Sequence, residues 1–235
     1  MVIKYRIAGV VIVLVFIVLI VTRATISSEI DSKTPFIQVC DSCTFELKRG
    51  DILVRPNWSR LPGSYPIPGG HKFGHVAMVV AGAKGKSIEE VLQKSIVLEA
   101  LFYDQAKGNF EFDKTKQIRK IAASISFGPK FKGLRYRLRL SVPESKIDSI
   151  IAFQLSQLGG GYQLFSFKKY EPDCNKRIEL YHKIKHDDWH CATLVWEAVY
   201  LTLGIDLDAN QGVLIYPSDL IGSKFFDKPG ARIRF

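Results

Sequence analysis

A single cysteine at the mouth of an apolar helix is the arrangement in this sequence best suited to chemistry. In Trp189-His190-Cys191-Ala192-Thr193-Leu194-Val195-Trp196 the cysteine opens a run that continues with Ala198, Val199 and Leu201 at core-facing spacing. That spacing predicts a helix from near Asp188 to just before Gly204. A helix N-terminus carries partial positive charge, which favours thiolate over thiol. The chemistry this suggests is nucleophilic attack on a carbonyl carbon, with backbone N–H groups at the helix start available to an oxyanion. The plainer reading is a buried structural cysteine, the commoner fate of an isolated Cys on an apolar helix.

An attacking thiol needs a base, and the base needs a group to orient it. Gly74-His75-Val76-Ala77-Met78-Val79-Val80 and Ser95-Ile96-Val97-Leu98-Glu99-Ala100 read as core strands joined through an amphipathic stretch from Ser87 to Gln93. Paired antiparallel, they bring His75 and Glu99 together at one end of a sheet. His75 would then take the thiol proton, with Glu99 holding the imidazole. Alternatively His75 only satisfies a buried strand end, but an ionised Glu99 among apolar neighbours still requires a partner. His190 is the second choice for the base, because adjacent residues on a helix do not face each other. His71, in a glycine-rich loop, and Trp58 are candidate substrate contacts. His182 and His186, four apart, would suit a metal, but no acidic third ligand stands beside them in a recognisable motif; neither metal nor cofactor is expected.

These side chains need elements to hold them. Organised structure begins near Phe45, and Gly50-Asp51 turns into the strand Ile52-Leu53-Val54. Residues 56–70 hold four prolines and read as a long loop, of the kind that forms lids or binding sites. Residues 103–133 are charged and without clear period, a mixture of loop and short strands. In Leu134-Arg135-Tyr136-Arg137-Leu138-Arg139-Leu140 the two-residue period places three arginines on one strand face. Ser141-Val142-Pro143-Glu144 reads as a capping box opening a helix to Leu158, with Ile147, Ile150, Ile151, Leu155 and Leu158 inward. Gly159 to Gly161 end it, Gly161-Tyr162 begins an aromatic turn, Ser166 to Lys185 is mixed and polar, and Pro217-Ser218-Asp219-Leu220 starts a last short helix.

Composition sets wider bounds. With 235 residues, 47% of them hydrophobic, the chain can bury one sizeable core. Its formal charge is +10, nearly all of it beyond residue 43, which favours anionic polymers or lipid headgroups. No basic run with interleaved aromatics argues for nucleic acid. Four cysteines are too few for a disulfide scaffold or a zinc ribbon; Cys40 and Cys43 suit a local disulfide or a redox pair. Residues 7–22 are almost wholly apolar, preceded by Lys4 and Arg6 and followed by Arg23. Sixteen residues fall between a signal core and the ~20 of a spanning helix. Arg23 spoils a cleavage site, so the run reads as an uncleaved transmembrane anchor, with the domain outside the cytoplasm by the positive-inside rule. The expected organisation is a signal anchor or signal peptide over 1–26, a tether over 27–43 and one catalytic domain over 44–235.

Six motifs in order, Gly50-Asp51-Ile52-Leu53, Gly74 to Val79, Val97 to Ala100, Gly161-Tyr162 with Phe165, Cys191 to Trp196 and Pro217 to Leu220, resemble the circularly permuted NlpC-type cysteine peptidases and amidases, nearest their YiiX-like branch. Histidine precedes cysteine, as in that permuted group and its lecithin retinol acyltransferase-like relatives. The resemblance implies a papain-like α+β fold, with a small antiparallel sheet carrying His75 and Glu99 packed on the Cys191 helix. It implies Cys191 as nucleophile, His75 as base, Glu99 as third member and Tyr162 as an aromatic lining the site. The expected function is an extracytoplasmic, membrane-anchored cysteine hydrolase acting on an amide, with cell-wall peptide the leading substrate. The alternatives are a lipid acyltransferase or phospholipase that sets its Arg135, Arg137, Arg139 face near phospholipid, and a non-catalytic binding module that retains the fold.

Overall fold

A computed structural model describes residues 34–40, 43–56, 73–131 and 135–235. The apolar run 7–22 with its anchor reading, and the 57–72 segment with Trp58 and His71, lie outside the described residues. No helix among those described is long and apolar enough to cross a membrane.

The strands are β1 (Ile37–Gln38), β2 (Phe45–Glu46), β3 (Ile52–Pro56), β4 (Phe73–Ala81), β5 (Lys84–Gly85), β6 (Ile96–Ala100), β7 (Tyr103–Asp104), β8 (Asn109–Phe110), β9 (Ile118–Ala122), β10 (Tyr136–Leu138) and β11 (Arg232–Arg234). The helices are α1 (Ile88–Lys94), α2 (Ala123–Phe127), α3 (Glu144–Ser156), α4 (Cys174–Lys183), α5 (Cys191–Leu203) and α6 (Pro217–Gly222). Seven strands form one sheet in the order β1-β11-β10-β3-β4-β6-β9. Only the β1–β11 pair is parallel. The architecture is mixed α/β around a mostly antiparallel sheet that is larger than the small sheet expected, because β9, β10 and β11 extend it on both sides of the β3–β4–β6 centre.

Both faces of the sheet are covered. Ile52, Val54, Val76, Met78, Leu98 and Ala100 point into one core with Ile147, Ile150, Cys191, Val195 and Leu220, from α3, α5 and α6. Their neighbours in sequence, Leu53, Ala77, Val79 and Val97, point into a second core with Ile88 and Val91 of α1 and Phe127 of α2. A strand buried on both faces reads as a continuous apolar run, which is why the centre of the sheet was legible.

Elsewhere local signals competed with packing. Helix α1 forms as expected, with the Ser87 hydroxyl accepting the Glu90 N–H. Helix α3 starts at Glu144 with Pro143 as its N-cap, not Ser141, since Pro143 keeps an extended ψ of 147°. Leu155 is exposed and Leu158 only partly buried, while Phe153 and Gln154 take inward places; Gln154 donates to the Leu194 carbonyl at 3.2 Å. Helix α4 forms within the mixed polar segment Ser166 to Lys185, and its apolar pattern is weak because none of its side chains is fully buried. Cys40 and Cys43 form a disulfide.

The arginine strand departs most from expectation. Tyr136 and Leu138 do face the core, but Arg135 and Arg137 opposite them are 0% and 2% exposed. Arg135 donates to the Phe127 and Phe235 carbonyls, Arg137 to the Gly230 carbonyl, and Arg139 to both oxygens of Asp51 at 2.7 Å. Arg135 and Arg137 are therefore internal crosslinks, while Arg139 is partly exposed and paired with Asp51 and Glu46, so the strand presents no open face of three arginines.

Candidate active site

Cys191 is the first residue of α5, and the chain arrives there under tight constraint. The Trp189 N–H donates to the Gly161 carbonyl at 2.9 Å and the Gln163 N–H to the Trp189 carbonyl at 3.1 Å, which locks the aromatic turn to the helix entrance. The indole of Trp189, fully buried, donates to Gln157 at 3.0 Å. Helix α5 ends at Gly204 in the left-handed conformation, φ 69°. The thiol therefore sits at a fixed height over the end of β4.

The nearby backbone N–H groups of Val76 and Ala192 and the Arg55 guanidinium act to lower the pKa of the Cys191 thiol. Burial nevertheless dominates: Cys191 is 2% exposed, and burial pushes its thiol up to about 11 against those donors. The resting species is the thiol, because the desolvation cost of a buried anion exceeds what the helix start, the Val76 N–H and Arg55 supply.

His75 and Glu99 meet as the antiparallel pairing requires. Nε2 of His75 lies 2.8 Å from Oε2 of Glu99, both side chains being fully buried. Glu99 also accepts from the Ser126 hydroxyl at 2.7 Å and from Arg119, Nε at 3.1 Å and Nη2 at 3.0 Å. Burial alone would raise the Glu99 carboxyl; the His75 hydrogen bond, Arg119 and Ser126 outweigh it and bring it down to about 2. Burial lowers the His75 imidazole below its ordinary value, so the resting pair is a neutral histidine donating to a carboxylate. Nδ1 of His75 is then bare, and it has no hydrogen-bond partner among the described residues.

The relation of thiol to histidine differs from the expectation. His75 shares its sheet face with Ala77 and Val79, stacks on Phe127 at 5.7 Å, and so projects toward α2, whereas α5 covers the opposite face. The two faces communicate because β4 and β6 separate there: Met78↔Leu98 is their last pair toward this end. The sulfur lies toward that end, where the Val76 N–H, one residue beyond His75, favours its anion. No hydrogen bond joins the thiol to His75 among the described residues.

The ring that does reach the thiol is His190, whose Nε2 is 3.8 Å from Sγ. This corrects the expectation that it points elsewhere. The rule for helical neighbours does not apply, since His190 is the N-cap, extended at φ −75° and ψ 148°, with its side chain folded back over the first turn. Tyr162 packs 5.9 Å from the His190 ring and lies close enough to Cys191 to interact with it electrostatically. Gln117 fixes Tyr162 by accepting its N–H at 2.7 Å while donating to the Glu111 carbonyl at 2.7 Å.

Sequence reasoning missed Arg55, Arg119 and Ser126. Arg55 lies directly opposite His75 in the β3–β4 register, and an arginine closing an apolar strand was a visible signal. Arg119 and Ser126 fall in the stretch without period, where β9 is an edge strand and α2 has only five residues. His182 and His186 do not share a helix face: His186 lies past the end of α4 at φ 53° and bonds the Leu158 carbonyl. Among the described residues no three or more His, Cys, Asp or Glu side chains are grouped to hold a metal.

The chain matches no protein-family model and no curated protein.

Proposed function

We propose that this chain is a cysteine hydrolase of the permuted NlpC type, with a papain-like arrangement of helix and sheet, anchored through residues 7–22 and acting outside the cytoplasm on an amide, cell-wall peptide first among its substrates. The observation that carries the reading is the buried His75, whose Nε2 is taken by Glu99 and whose Nδ1 is bare, one residue before Val76, whose N–H helps to lower the pKa of the Cys191 thiol at the start of α5. In the reaction the S–H bond breaks, its proton passes to Nδ1, and sulfur bonds to the carbonyl carbon. Collapse of the tetrahedral intermediate expels the amine, which takes the proton back from His75. Water then attacks the thioester, giving up a proton to Nδ1, and the thiol is restored. Glu99 remains ionised and stabilises the imidazolium. Because the resting thiol is protonated, proton transfer belongs to the substrate-bound state.

An activity-based thiol probe followed by peptide mapping tests this. Labelling should fall at Cys191 and drop sharply in His75→Ala. A Cys191→Ala protein that still releases peptide at the normal rate refutes the reading.

A non-catalytic module is favoured by one observation, the near-complete burial of the thiol. If Cys191 reacts with iodoacetamide no faster than a free thiol at pH 6, and labelling is unchanged by substrate peptide, that reading stands instead. The lipid alternative, which also drew on the anchor and the same thiol site, no longer draws support from the arginine strand, since Arg135 and Arg137 are buried.

A further inference from the structure

Two histidines adjoin the reactive end of α5, and they present opposite ends of the imidazole to its interior. His75 donates Nε2–H to an ionised carboxylate, so its Nδ1 is bare and can receive a proton. His190 uses its Nδ1 as the helix cap, accepting the Ala192 N–H at 3.4 Å. A backbone N–H can only donate, so Nδ1 of His190 must be the bare nitrogen and Nε2 must carry the hydrogen. It is this Nε2–H that faces the Cys191 sulfur at 3.8 Å. Protonating His190 a second time would set N–H against N–H and abolish the cap, so this ring is built to donate and not to accept.

Its position in the chain supports the same role. N-caps are usually Ser, Thr, Asp or Asn, short side chains that satisfy an N2 or N3 amide and reach no further. A histidine there caps equally with one nitrogen and delivers the other to the neighbouring residue. The ring is flanked by Tyr162 at 5.9 Å and Tyr216 at 6.4 Å between centroids, which restrict its rotation.

We propose that His190 is a catalytic hydrogen-bond donor to the Cys191 sulfur anion, acting beside the Val76 N–H, while His75 takes the proton. The inference rests on Cys191 being the nucleophile. In the activation step the S–H bond breaks and an N–H bond forms at His75 Nδ1. The electron pair left on sulfur is met by the His190 Nε2–H, which stays on its nitrogen. When sulfur acylates, that donor is released from the anion, so the interaction lowers the cost of forming the thiolate without being consumed.

The experiment uses the full chain and follows iodoacetamide alkylation at Cys191, read by peptide mapping, from pH 6 to 11. His190→Ser keeps a capping oxygen for the Ala192 N–H but cannot reach the sulfur. With an unchanged unfolding midpoint, it should slow alkylation roughly tenfold across pH 6 to 10, the equivalent of raising the thiol by about one pH unit. A His190→Ser profile matching wild type, with only His190→Ala impaired, would reduce His190 to a cap and overturn the proposal. Nitrogen-15 NMR of the wild-type imidazoles supplies a variant-free check: finding His190 as the Nδ1–H tautomer overturns it as well. Failure of the nucleophile reading is distinguishable, since it would show as no labelling of wild-type Cys191 and full activity in Cys191→Ala.

Discussion

Glu99 concentrates the electrostatics of the site on one side chain, accepting from His75, Arg119 and Ser126 while fully buried. The neutral His75 beside it carries a pH signature. Its folded pKa lies below the unfolded value of 6.5 because burial disfavours the cation. The unfolded chain therefore binds the proton first, and the stability that His75 contributes above pH 6.5 is lost as pH falls below it. Urea midpoints should decline from pH 7.5 to 5, and His75→Gln, which keeps a donor for Glu99, should flatten that part of the curve. Glu197 behaves in the opposite sense. It is 0% exposed, accepts the Lys169 N–H at 3.2 Å with Oε2, leaves Oε1 without a hydrogen-bond partner, and burial pushes its carboxyl up to about 8. A raised carboxyl contributes fully below its unfolded value and loses that contribution as pH rises through its folded one. Glu197→Gln should then stabilise by ~1–3 kcal/mol at pH 9 and by little at pH 5, read as unfolding midpoints at the two pH values.

Among the elements, the two helical layers divide the work. Helix α5 brings the thiol to one face of the sheet, and α2 closes the other over His75 and Glu99 through Phe127 and Ser126. What ties β10 to β3 is Asp51, 1% exposed, which accepts from Arg139 and from the Lys48 N–H at 2.7 Å and lies 3.9 Å from Arg137. Replacing it strands a buried guanidinium, and Asp51→Ala should cost ~3–5 kcal/mol in chemical denaturation. Lysine in place of Arg139 would not rescue the geometry, because the fork to both carboxylate oxygens needs a planar guanidinium.

For the whole molecule, the basic charge must be reassessed by place. Of the arginines that made the body look like an anion-binding surface, Arg135 and Arg137 are buried inside it and Arg139 is paired with Asp51 and Glu46, so excess charge alone predicts neither lipid nor nucleic acid. If residues 7–22 are the membrane attachment proposed above, deleting residues 1–26 should move the protein from the membrane pellet to the supernatant on fractionation, at low and high salt alike; release by salt alone would instead indicate an electrostatic surface. By itself the sequence determined that an apolar helix carries Cys191 near its N-terminus, although that helix starts at Cys191 and not near Asp188, and it determined the β4–β6 pairing and hence the meeting of His75 with Glu99. Those follow from apolar periodicity and short connections, which are local. Only the tertiary structure decided that His75 and the thiol come from opposite faces, that burial keeps the thiol protonated, that His190 turns back to the sulfur, and that Arg119 and Ser126 complete the Glu99 shell. Each of these depends on which side of a strand is covered and by what. A two-residue period marks the faces of a strand but does not say which distant helix will lie on either one.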